Sequence, residues 1–486
     1  MNRKMVFHIL GKILIVEAAL MVPSVIVGLI YKEKATLSFL VPILALCILG
    51  ALFSLKKPKN REIYARDGFF IVASAWVLMS LFGALPFYLS RGYYEGSQFN
   101  TYIDCFFEMV SGFTTTGSSV LTEIDILPRC ILFWRCFTHW IGGMGVLVFV
   151  MAILPLSEER SLYLMRAESP GPIVGKLVPK MKDTARVLYG IYIVMTILCF
   201  IFLLFGKMPV YDALCHAFGA AGTGGFNVKT AGLGFYDSAY IEMVIAVFIL
   251  LFGINFNLYY LILLGNVREV LKSEELRWYL GIVGCSTLII SLNIMNTFKG
   301  QSFRYAFFQV ASIITTTGFA TTDFNTTFPE LSKSILVFLM LIGACAGSTG
   351  GGFKVSRLII LLKSFKKEIK KLMHPRSVTV IKLEGKPIDS AVSYNTVTYF
   401  MMYIVIMIVA AILISVDNFD FATNTTAVIS CFNNIGPGLG AVGPMGSFAG
   451  FSAFSKLVLS FCMLFGRLEI LPMLVLFTPK AWKNKK

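Results

Sequence analysis

Long apolar segments alternate with short polar connections along the whole chain. Each apolar segment is close to the ~20 residues that one membrane-spanning helix needs. The pattern therefore predicts an all-α polytopic membrane protein with about ten transmembrane helices. The predicted spans lie near residues 9–30, 37–55, 68–90, 131–154, 187–206, 239–264, 279–296, 334–362, 395–416 and 456–477.

Four shorter, semi-polar segments between these spans form an internal repeat. Each is too short to cross the bilayer and ends in a glycine-containing polar turn, which is typical of a re-entrant helix. Since one apolar helix precedes each segment and another follows it, we expect four helix–pore-loop–helix repeats around one pore. The short segments lie near residues 103–113, 211–221, 303–314 and 421–433. The predicted units are two extra N-terminal helices (1–66) and pore repeats over 67–183, 184–275, 276–392 and 393–486.

The turns that follow the short segments share a pattern of threonine and glycine. They read TTTGS at 114–118, GTGGF at 222–226, TTTGF at 315–319 and NIGPG at 434–438. Four such turns can meet around one axis with their carbonyl groups inward, where they can replace the hydration shell of a cation. A continuous row of inward carbonyls needs backbone angles that a Cβ atom disfavours, which explains the glycine. The alignment of the turns gives four equivalent glycines, Gly117, Gly224, Gly318 and Gly436.

The composition agrees with a membrane protein and excludes other classes. Apolar residues make up 56% of the chain and charged residues 14%, with a mean hydropathy of +0.75. Soluble proteins are about 45–50% apolar and about 25% charged. The net charge of +16 could indicate a nucleic-acid partner, but the loops that the repeats assign to the cytoplasm hold 30 of the 43 lysines and arginines. This bias is the positive-inside rule, so we expect no nucleic-acid binding.

The residues that usually carry catalysis form no recognisable constellation. The sequence shows no Ser/His/Asp arrangement, no paired carboxylates and no cluster of metal ligands, so we do not expect an enzyme. The ten cysteines are scattered and form no C-x-x-C, and the four histidines are dispersed. A transition-metal site is therefore not predicted.

A run of glycine and hydroxyl residues at 343–352 interrupts an apolar stretch that otherwise resembles one helix. Glycine costs a helix about 1 kcal/mol per residue relative to alanine, so a cluster of this length should unwind it. The expected result is a flexible loop near the middle of the bilayer. A simple packing kink is the alternative. A phosphate-binding P-loop is excluded because no G-K-[ST] follows the glycines.

Arg135 and Arg467 lie within predicted spans. Arg467 is central in the last span, where an isolated charge costs roughly 2.5–3.5 kcal/mol, so it should face the bundle interior or water. A buried structural ion pair is the alternative, although Glu469 is a poor local partner because it points elsewhere on the helix. Arg135 lies near the outer end of its span and is interpreted as an interface anchor.

The chain resembles the Trk/Ktr/HKT superfamily of potassium transporters over essentially its whole length. The resemblance lies in the four turns, in GACAGSTGGGFKVSR at 343–357 and in GRLEILPMLVLFTPKAW at 466–482. The two helices before the repeats resemble the TrkH-type membrane subunit. Gly117 matches the potassium pattern of the family, whereas Asn434 and Ile435 replace threonines of a potassium-channel filter and suggest a less selective filter.

The resemblance implies potassium uptake across the bacterial plasma (inner) membrane through a channel-like pore. Potassium is then the only metal ion expected, as cargo. In the family, a loop beneath the filter obstructs the pore, which implies a gate at Gly350, Gly351 and Gly352, and an arginine below the filter implies a barrier to cations at Arg467. The filter residues implied are Thr115, Thr116, Gly117, Gly222, Thr223, Gly224, Thr316, Thr317, Gly318, Asn434, Ile435 and Gly436.

The resemblance also implies partners. We expect contacts with membrane lipids, a homodimer, and a cytosolic nucleotide-binding regulatory ring of the TrkA type, docked in part on the basic segment 363–386. No cofactor is expected in this chain, because the nucleotide belongs to the regulatory subunit. The alternative function is a carrier that couples potassium to sodium or protons. Such a carrier favours inverted repeats, whereas these repeats run in one direction and in-span carboxylates are few (Glu17 and Glu469 among them).

Overall fold

The computed structural model describes residues 2–55, 58, 65–145, 181–376, 380–470 and 473–474. Two helices outside the repeats come first, Arg3–Ile30 and Leu40–Ser54, joined by a 3₁₀ turn at Lys34–Phe39. They cross where Gly11 meets Gly50, since a Cβ atom on Gly11 would lie 2.8 Å from the carbonyl oxygen of Gly50. This pair packs against the first repeat.

Four repeats of the same three parts follow. The first helix of each repeat carries a long apolar face; these helices are Ala65–Gly83 (extended by Leu85–Ser90), Met181–Phe205, Glu274–Asn293 and Ser390–Ile414. The short second helices, called the pore helices below, are Tyr102–Phe113, Val210–Gly222, Ser302–Ile314 and Phe421–Asn433. The prediction of four short re-entrant helices is confirmed, with their ends shifted by no more than one residue.

The last helix of each repeat, called the inner helix, is short or broken. The described inner helices are Arg129–Gly143, Ala239–Phe252 with Phe256–Leu263, Glu330–Ile342 with Val355–Met373, and Ala453–Leu468. The second is bent by 90° at its break. The third is interrupted by a non-helical loop at 343–354, as the glycine run predicts. Minor helices lie at Val267–Lys272, Met295–Phe298 and Phe324–Thr327.

The breaks account for the difference between predicted and observed spans. Within the described residues, six helices are long and apolar enough to cross a membrane, and the bent pair makes a seventh candidate. Four of the ten predicted spans do not appear as single long helices: 239–264 is the bent pair, 334–362 is split, and the described parts of 131–154 and 456–477 end as helices at Gly143 and Leu468. Apolar runs alone do not reveal such breaks.

The pore helices lie at the centre of the protein. Every residue of the first from Asp104 to Phe113 is buried, and the first helices of the repeats shield them while exposing apolar side chains outward. Such outward apolar surface is stable in lipid. A small antiparallel hairpin, Lys382–Leu383 paired with Lys386–Pro387, lies between the third and fourth repeats.

Candidate functional site

All four pore helices end in the same hydrogen-bonded turn. In each turn an N–H group reaches back five residues to a carbonyl oxygen at 2.8 to 3.0 Å, and the residue before it has a positive φ of 52° to 58°. Many helices end with one residue in the left-handed conformation, which is usually glycine. Here a threonine or an asparagine takes that position. The bonds run from Thr116, Gly224, Thr317 and Ile435 to Ser111, Gly219, Ser312 and Ser430. The residues with positive φ are Thr115, Thr223, Thr316 and Asn434.

This shared turn corrects the sequence alignment of the second repeat. The residue equivalent to Gly117, Gly318 and Gly436 is Gly225, which has the same positive φ (78°), whereas Gly224 does not. The alignment on Gly224 was wrong by one residue because two glycines stand in tandem and the pore helix includes Gly222. The three-residue turn of this repeat is therefore 223–225 rather than 222–224.

Gly224 needs glycine for a different reason. A Cβ atom there would lie 2.2 Å from Nδ1 of His139, whose ring is packed directly behind the turn. The same nitrogen is 2.9 Å from the carbonyl oxygen of Gly112 in the first pore helix. His139 thus joins the first and second turns from behind, and close packing explains the residue at 224.

The four turns contact one another in cyclic order and close a ring. A Cβ atom on Gly117 would lie 2.1 Å from the carbonyl oxygen of Gly224, and one on Gly225 would lie 2.0 Å from that of Thr317. Beyond these two contacts, a Cβ atom on Gly318 would lie 1.9 Å from the carbonyl oxygen of Ile435. The last contact returns to the first repeat, where a Cβ atom on Gly436 would lie 3.0 Å from the carbonyl oxygen of Thr116. No side chain fits at Gly117, Gly225 or Gly318 without displacing a carbonyl of the next turn, and at Gly436 the fit is tight.

The fourth turn departs from the other three at its glycine. The carbonyl oxygen of Gly436 accepts the hydroxyl groups of Ser118, at 3.1 Å, and Ser430, at 2.7 Å. In the third turn the equivalent serine, Ser312, instead donates to Phe319, one residue beyond the glycine. A carbonyl oxygen has two lone pairs, and both are used here. The Gly436 carbonyl is therefore held by the protein and is not available to the ring.

Asn434 also changes the fourth turn. Its amide nitrogen donates to Thr116 Oγ1 at 2.9 Å and to the carbonyl oxygen of Met463 at 3.0 Å. A threonine at this position has no donor that reaches both partners. The asparagine thus fastens the fourth turn to the first turn and to the last inner helix.

A cavity of about 450 Å³ opens on the side of the ring that faces away from the loop at 343–354. The glycines of all four turns line it, namely Gly117, Gly225, Gly318 and Gly436. Asp125 lines it too. Partial burial opposes ionisation of this carboxyl group, but hydrogen bonds from Thr230 and Lys229 outweigh it and lower the pKa of Asp125 below its usual value. The ionised carboxylate is paired with Lys229, whose Nζ lies 3.1 Å from Oδ1 of Asp125.

The expectation that Arg135 is an interface anchor is wrong, because its side chain is buried. Its Nε lies 2.6 Å from Oε1 of Glu108 in the first pore helix. The same carboxylate accepts Ser119 Oγ and the N–H of Val120, and Arg135 donates to the carbonyl oxygen of Asn227 at 3.0 Å. The pair therefore braces the segments that follow the first two turns. Sequence reasoning missed Glu108, although an acidic residue inside a buried short helix is itself a signal of a paired charge.

The loop at 343–354, called the gate loop below after the role that the sequence predicts for it, lies against the inner ends of the third and fourth turns. The N–H of Gly351 donates to Thr316 Oγ1 at 2.6 Å. A Cβ atom on Gly350 would lie 2.9 Å from the carbonyl oxygen of Thr315, and one on Gly351 would lie 2.6 Å from that of Asn433. The predicted gate glycines therefore sit next to the ring.

The gate loop also fills the break in the second inner helix. The N–H of Cys345 donates to the carbonyl oxygen of Gly253 at 3.1 Å, and the N–H of Phe256 donates to that of Gly347 at 3.0 Å. Lys354, at the end of the loop, donates to the carbonyl oxygen of Gly350. The breaks in the second and third inner helices leave backbone N–H and C=O groups without helical partners. These groups pair with each other, because an unpaired backbone group is costly in a low-dielectric environment.

Arg467 joins the gate loop to the first repeat. Its guanidinium donates to the carbonyl oxygen of Thr349 at 2.8 Å and to those of Gly142 and Gly143 at 2.5 and 2.8 Å. Glu469 forms an ion pair with Arg357, whose guanidinium also lies 4.1 Å from the centre of the Tyr399 ring. The expectation that Glu469 points away from Arg467 agrees with this pairing. The positive charge of Arg467 lies next to the gate loop.

Comparisons with known proteins agree with this architecture. A family model described as "TrkH: Cation transport protein" matches residues 37–485. The chain is 36% identical to the Trk system potassium uptake protein TrkH of Salmonella typhimurium over 100% of both chains, and 32% identical to TrkG of Escherichia coli over 99% of both. The crystal structure of the potassium transporter TrkH from Vibrio parahaemolyticus superimposes with a TM-score of 0.88 at 33% identity, covering 99% of this chain and 100% of the other.

These features define a polytopic membrane protein built from four pore-loop repeats. The chain belongs to the TrkH family of cation transport proteins. Its relatives are named as transporters rather than enzymes. The apolar helices and the bacterial relatives confirm the prediction of a multi-pass protein of the bacterial inner membrane.

Proposed function

We propose that this protein takes up potassium across the plasma membrane through a channel-like pore. The observation that carries the proposal is the ring of four turns, each in contact with the next and the last with the first. A ring of backbone carbonyls can replace the hydration shell of a potassium ion. Relatives that cover the whole chain are named potassium uptake proteins, which supports potassium as the cargo.

We propose the filter at three residues in each turn. In the first, third and fourth repeats they are 115–117, 316–318 and 434–436, and in the second repeat 223–225 replaces 222–224. Each pore helix directs its C-terminal end, with its partial negative charge, toward the ring. Because the Gly436 carbonyl is occupied by two serines, the ring offers fewer oxygens at its outer level than a symmetric tetramer. We therefore expect moderate selectivity for potassium over sodium.

We propose the gate at Gly350, Gly351 and Gly352. The contacts of Gly350 and Gly351 with the inner ends of two turns support an obstruction directly beneath the filter. Bonds to the second inner helix and to Arg467 hold the loop there. Opening of the loop must break these hydrogen bonds, which costs free energy. Binding of a regulatory partner would supply that free energy.

The proposal extends to a homodimer in contact with membrane lipids and to a cytosolic nucleotide-binding ring that supplies the regulation. Relatives are named as components of a Trk system, which supports a partner. The helix Val355–Met373 begins where the gate loop ends and carries a basic cluster toward the cytoplasm, namely Lys363, Lys366, Lys367, Lys370 and Lys371. A partner that binds this helix would act close to the gate.

Single-channel recording of the purified protein in planar bilayers tests the proposed function. A pore gives unitary current steps that reverse at the Nernst potential of potassium. A carrier that couples potassium to sodium or protons gives no unitary steps, and its flux depends on the second ion. Potassium flux that stops when sodium is removed or when the proton gradient is collapsed would refute the pore.

Replacing Arg467 by alanine tests the role of the charge next to the gate loop. The substitution removes a positive charge from a low-dielectric segment, where it opposes cations strongly, and also removes the bond to Thr349. We expect higher potassium flux per folded molecule with the ion preference largely kept. If the arginine is only structural, its loss should instead cost about 3–5 kcal/mol of stability. Flux and melting temperature are measured together, and a lower melting temperature without a gain in flux contradicts the barrier role.

A further inference from the structure

The buried carboxylate of Glu275 accepts hydrogen bonds from both ends of the gate loop. Glu275, the second residue of the helix Glu274–Asn293, is 8% exposed. Its Oε1 accepts the N–H of Ala346 at 2.8 Å and the N–H of Ser356 at 3.1 Å. Ala346 lies near the start of the gate loop, and Ser356 lies in the first turn of the helix that follows it. The same oxygen therefore links the start of the gate loop to the helix that follows the loop.

The hydrogen bonds that Glu275 accepts from the gate loop are expected to be strong. The N–H groups at the start of a helix have no partner within the helix, and the helix dipole there favours an anion. Hydrogen bonds to a charged acceptor are about twice as strong as those between neutral groups. Gly350, Gly351 and Gly352 lie within the segment that Glu275 closes, so the position of this carboxylate restrains the part of the loop that lies next to the ring.

Glu275 is in turn held by the hairpin Lys382–Leu383 with Lys386–Pro387. Glu384, at the tip of this hairpin, accepts the N–H groups of Glu275 and Glu274 at 3.0 and 2.9 Å and the hydroxyl of Ser273 at 3.0 Å. The carboxylate of Glu384 thus caps the helix that carries Glu275. A continuous chain of hydrogen bonds leads from the hairpin to the gate loop.

We propose that Glu275 is the positioning residue of the gate loop and that the hairpin controls it through Glu384. The part of this proposal that concerns flux rests on the proposed gate. Loss of the Glu384 contacts frees the first turn of the helix, which lets Glu275 move away from Ala346 and Ser356. A cytosolic partner that displaced the hairpin would release the loop through the same contacts.

Cys345 supplies a reporter that does not depend on transport. It lies in the gate loop next to Ala346 and is 1% exposed, so a small thiol reagent should reach it only when the loop moves. The experiment labels the purified full-length protein and quantifies modification of Cys345 by mass spectrometry. Potassium flux and the potassium/sodium reversal potential are measured on the same preparations.

We expect Glu275→Ala to raise the labelling rate of Cys345 about tenfold, because two hydrogen bonds to a charged group are lost. Potassium flux should rise with it, and the reversal potential should stay unchanged. Glu384→Ala should act in the same direction with a smaller effect. Glu275→Gln keeps an acceptor oxygen and should fall between wild type and Glu275→Ala. The control is Glu269→Ala, which removes an exposed carboxylate on a neighbouring short helix and should change neither readout.

The outcomes separate this inference from the proposed gate. Faster labelling of Cys345 with unchanged flux supports Glu275 as the positioning residue and refutes the loop as the gate. Unchanged labelling in folded Glu275→Ala overturns the inference. If Glu275→Ala does not fold, Glu275→Gln and Glu384→Ala are used in its place. A wild-type labelling rate of Cys345 in both of these variants overturns the positioning role of Glu275.

Discussion

Replacing Gly117 by serine is expected to lower the preference for potassium over sodium about tenfold. A Cβ atom at this position would lie 2.1 Å from the carbonyl oxygen of Gly224, and the φ of +85° is itself unfavourable for any other residue. The carbonyl must therefore move away from its position in the ring. A change of ~1.4 kcal/mol in the relative affinity for the two ions corresponds to this factor. Bi-ionic reversal potentials with potassium and sodium measure it.

Gly190→Ser provides the matched control for this substitution. Gly190 lies in the helix Met181–Phe205, and a Cβ atom there would meet no atom within 4 Å. This variant should keep the wild-type reversal potential. A wild-type reversal potential in Gly117→Ser would show that the first turn takes no part in selectivity.

Deleting Gly350, Gly351 and Gly352 is expected to raise basal potassium flux by about tenfold or more. The deletion removes the contacts with Thr315, Thr316 and Asn433 and shortens the segment that lies beneath the ring. If the closed loop dominates in the resting protein, removing it shifts the population strongly toward the open state. Flux per folded molecule is measured by uptake of a potassium tracer into proteoliposomes.

The reversal potential is the internal control for the deletion, because the proposed filter residues are untouched and selectivity should be kept. Flux at or below the wild-type level in folded protein would mean that the glycine run is only a kink in the third inner helix. Raised flux with lost selectivity would mean that the loop supports the filter rather than blocking the pore.

Much of the fold is visible in the sequence because its signals are local. A short semi-polar segment followed by a glycine turn marks each pore helix, and four copies together predict the repeats. The glycine run at 343–352 predicts the interruption of the third inner helix for the same reason, since the cost of glycine in a helix is a local property. Apolar runs such as 131–154 and 334–362 give helices that are shorter than predicted, because hydropathy carries no information about where a helix breaks.

Much of the site is hidden from the sequence because its contacts join distant residues. Glu108 and Arg135 lie on different helices, and the partners of Arg467 include the carbonyls of Gly142 and Gly143, more than 300 positions away in the chain. No periodicity brings such groups together. The equivalent glycine of the second repeat was misaligned for another reason, since the tandem glycines at 224 and 225 allow two alignments and only the backbone angles decide between them.

The reversal potential of Gly225→Ser tests whether the four turns act together as one closed ring. A Cβ atom at this position would lie 2.0 Å from the carbonyl oxygen of Thr317, the same relation that Gly117 has to Gly224. We expect a loss of potassium preference equal in direction and similar in size to that of Gly117→Ser, with Gly190→Ser unchanged. A folded Gly225→Ser protein with the wild-type potassium/sodium permeability ratio would contradict the ring.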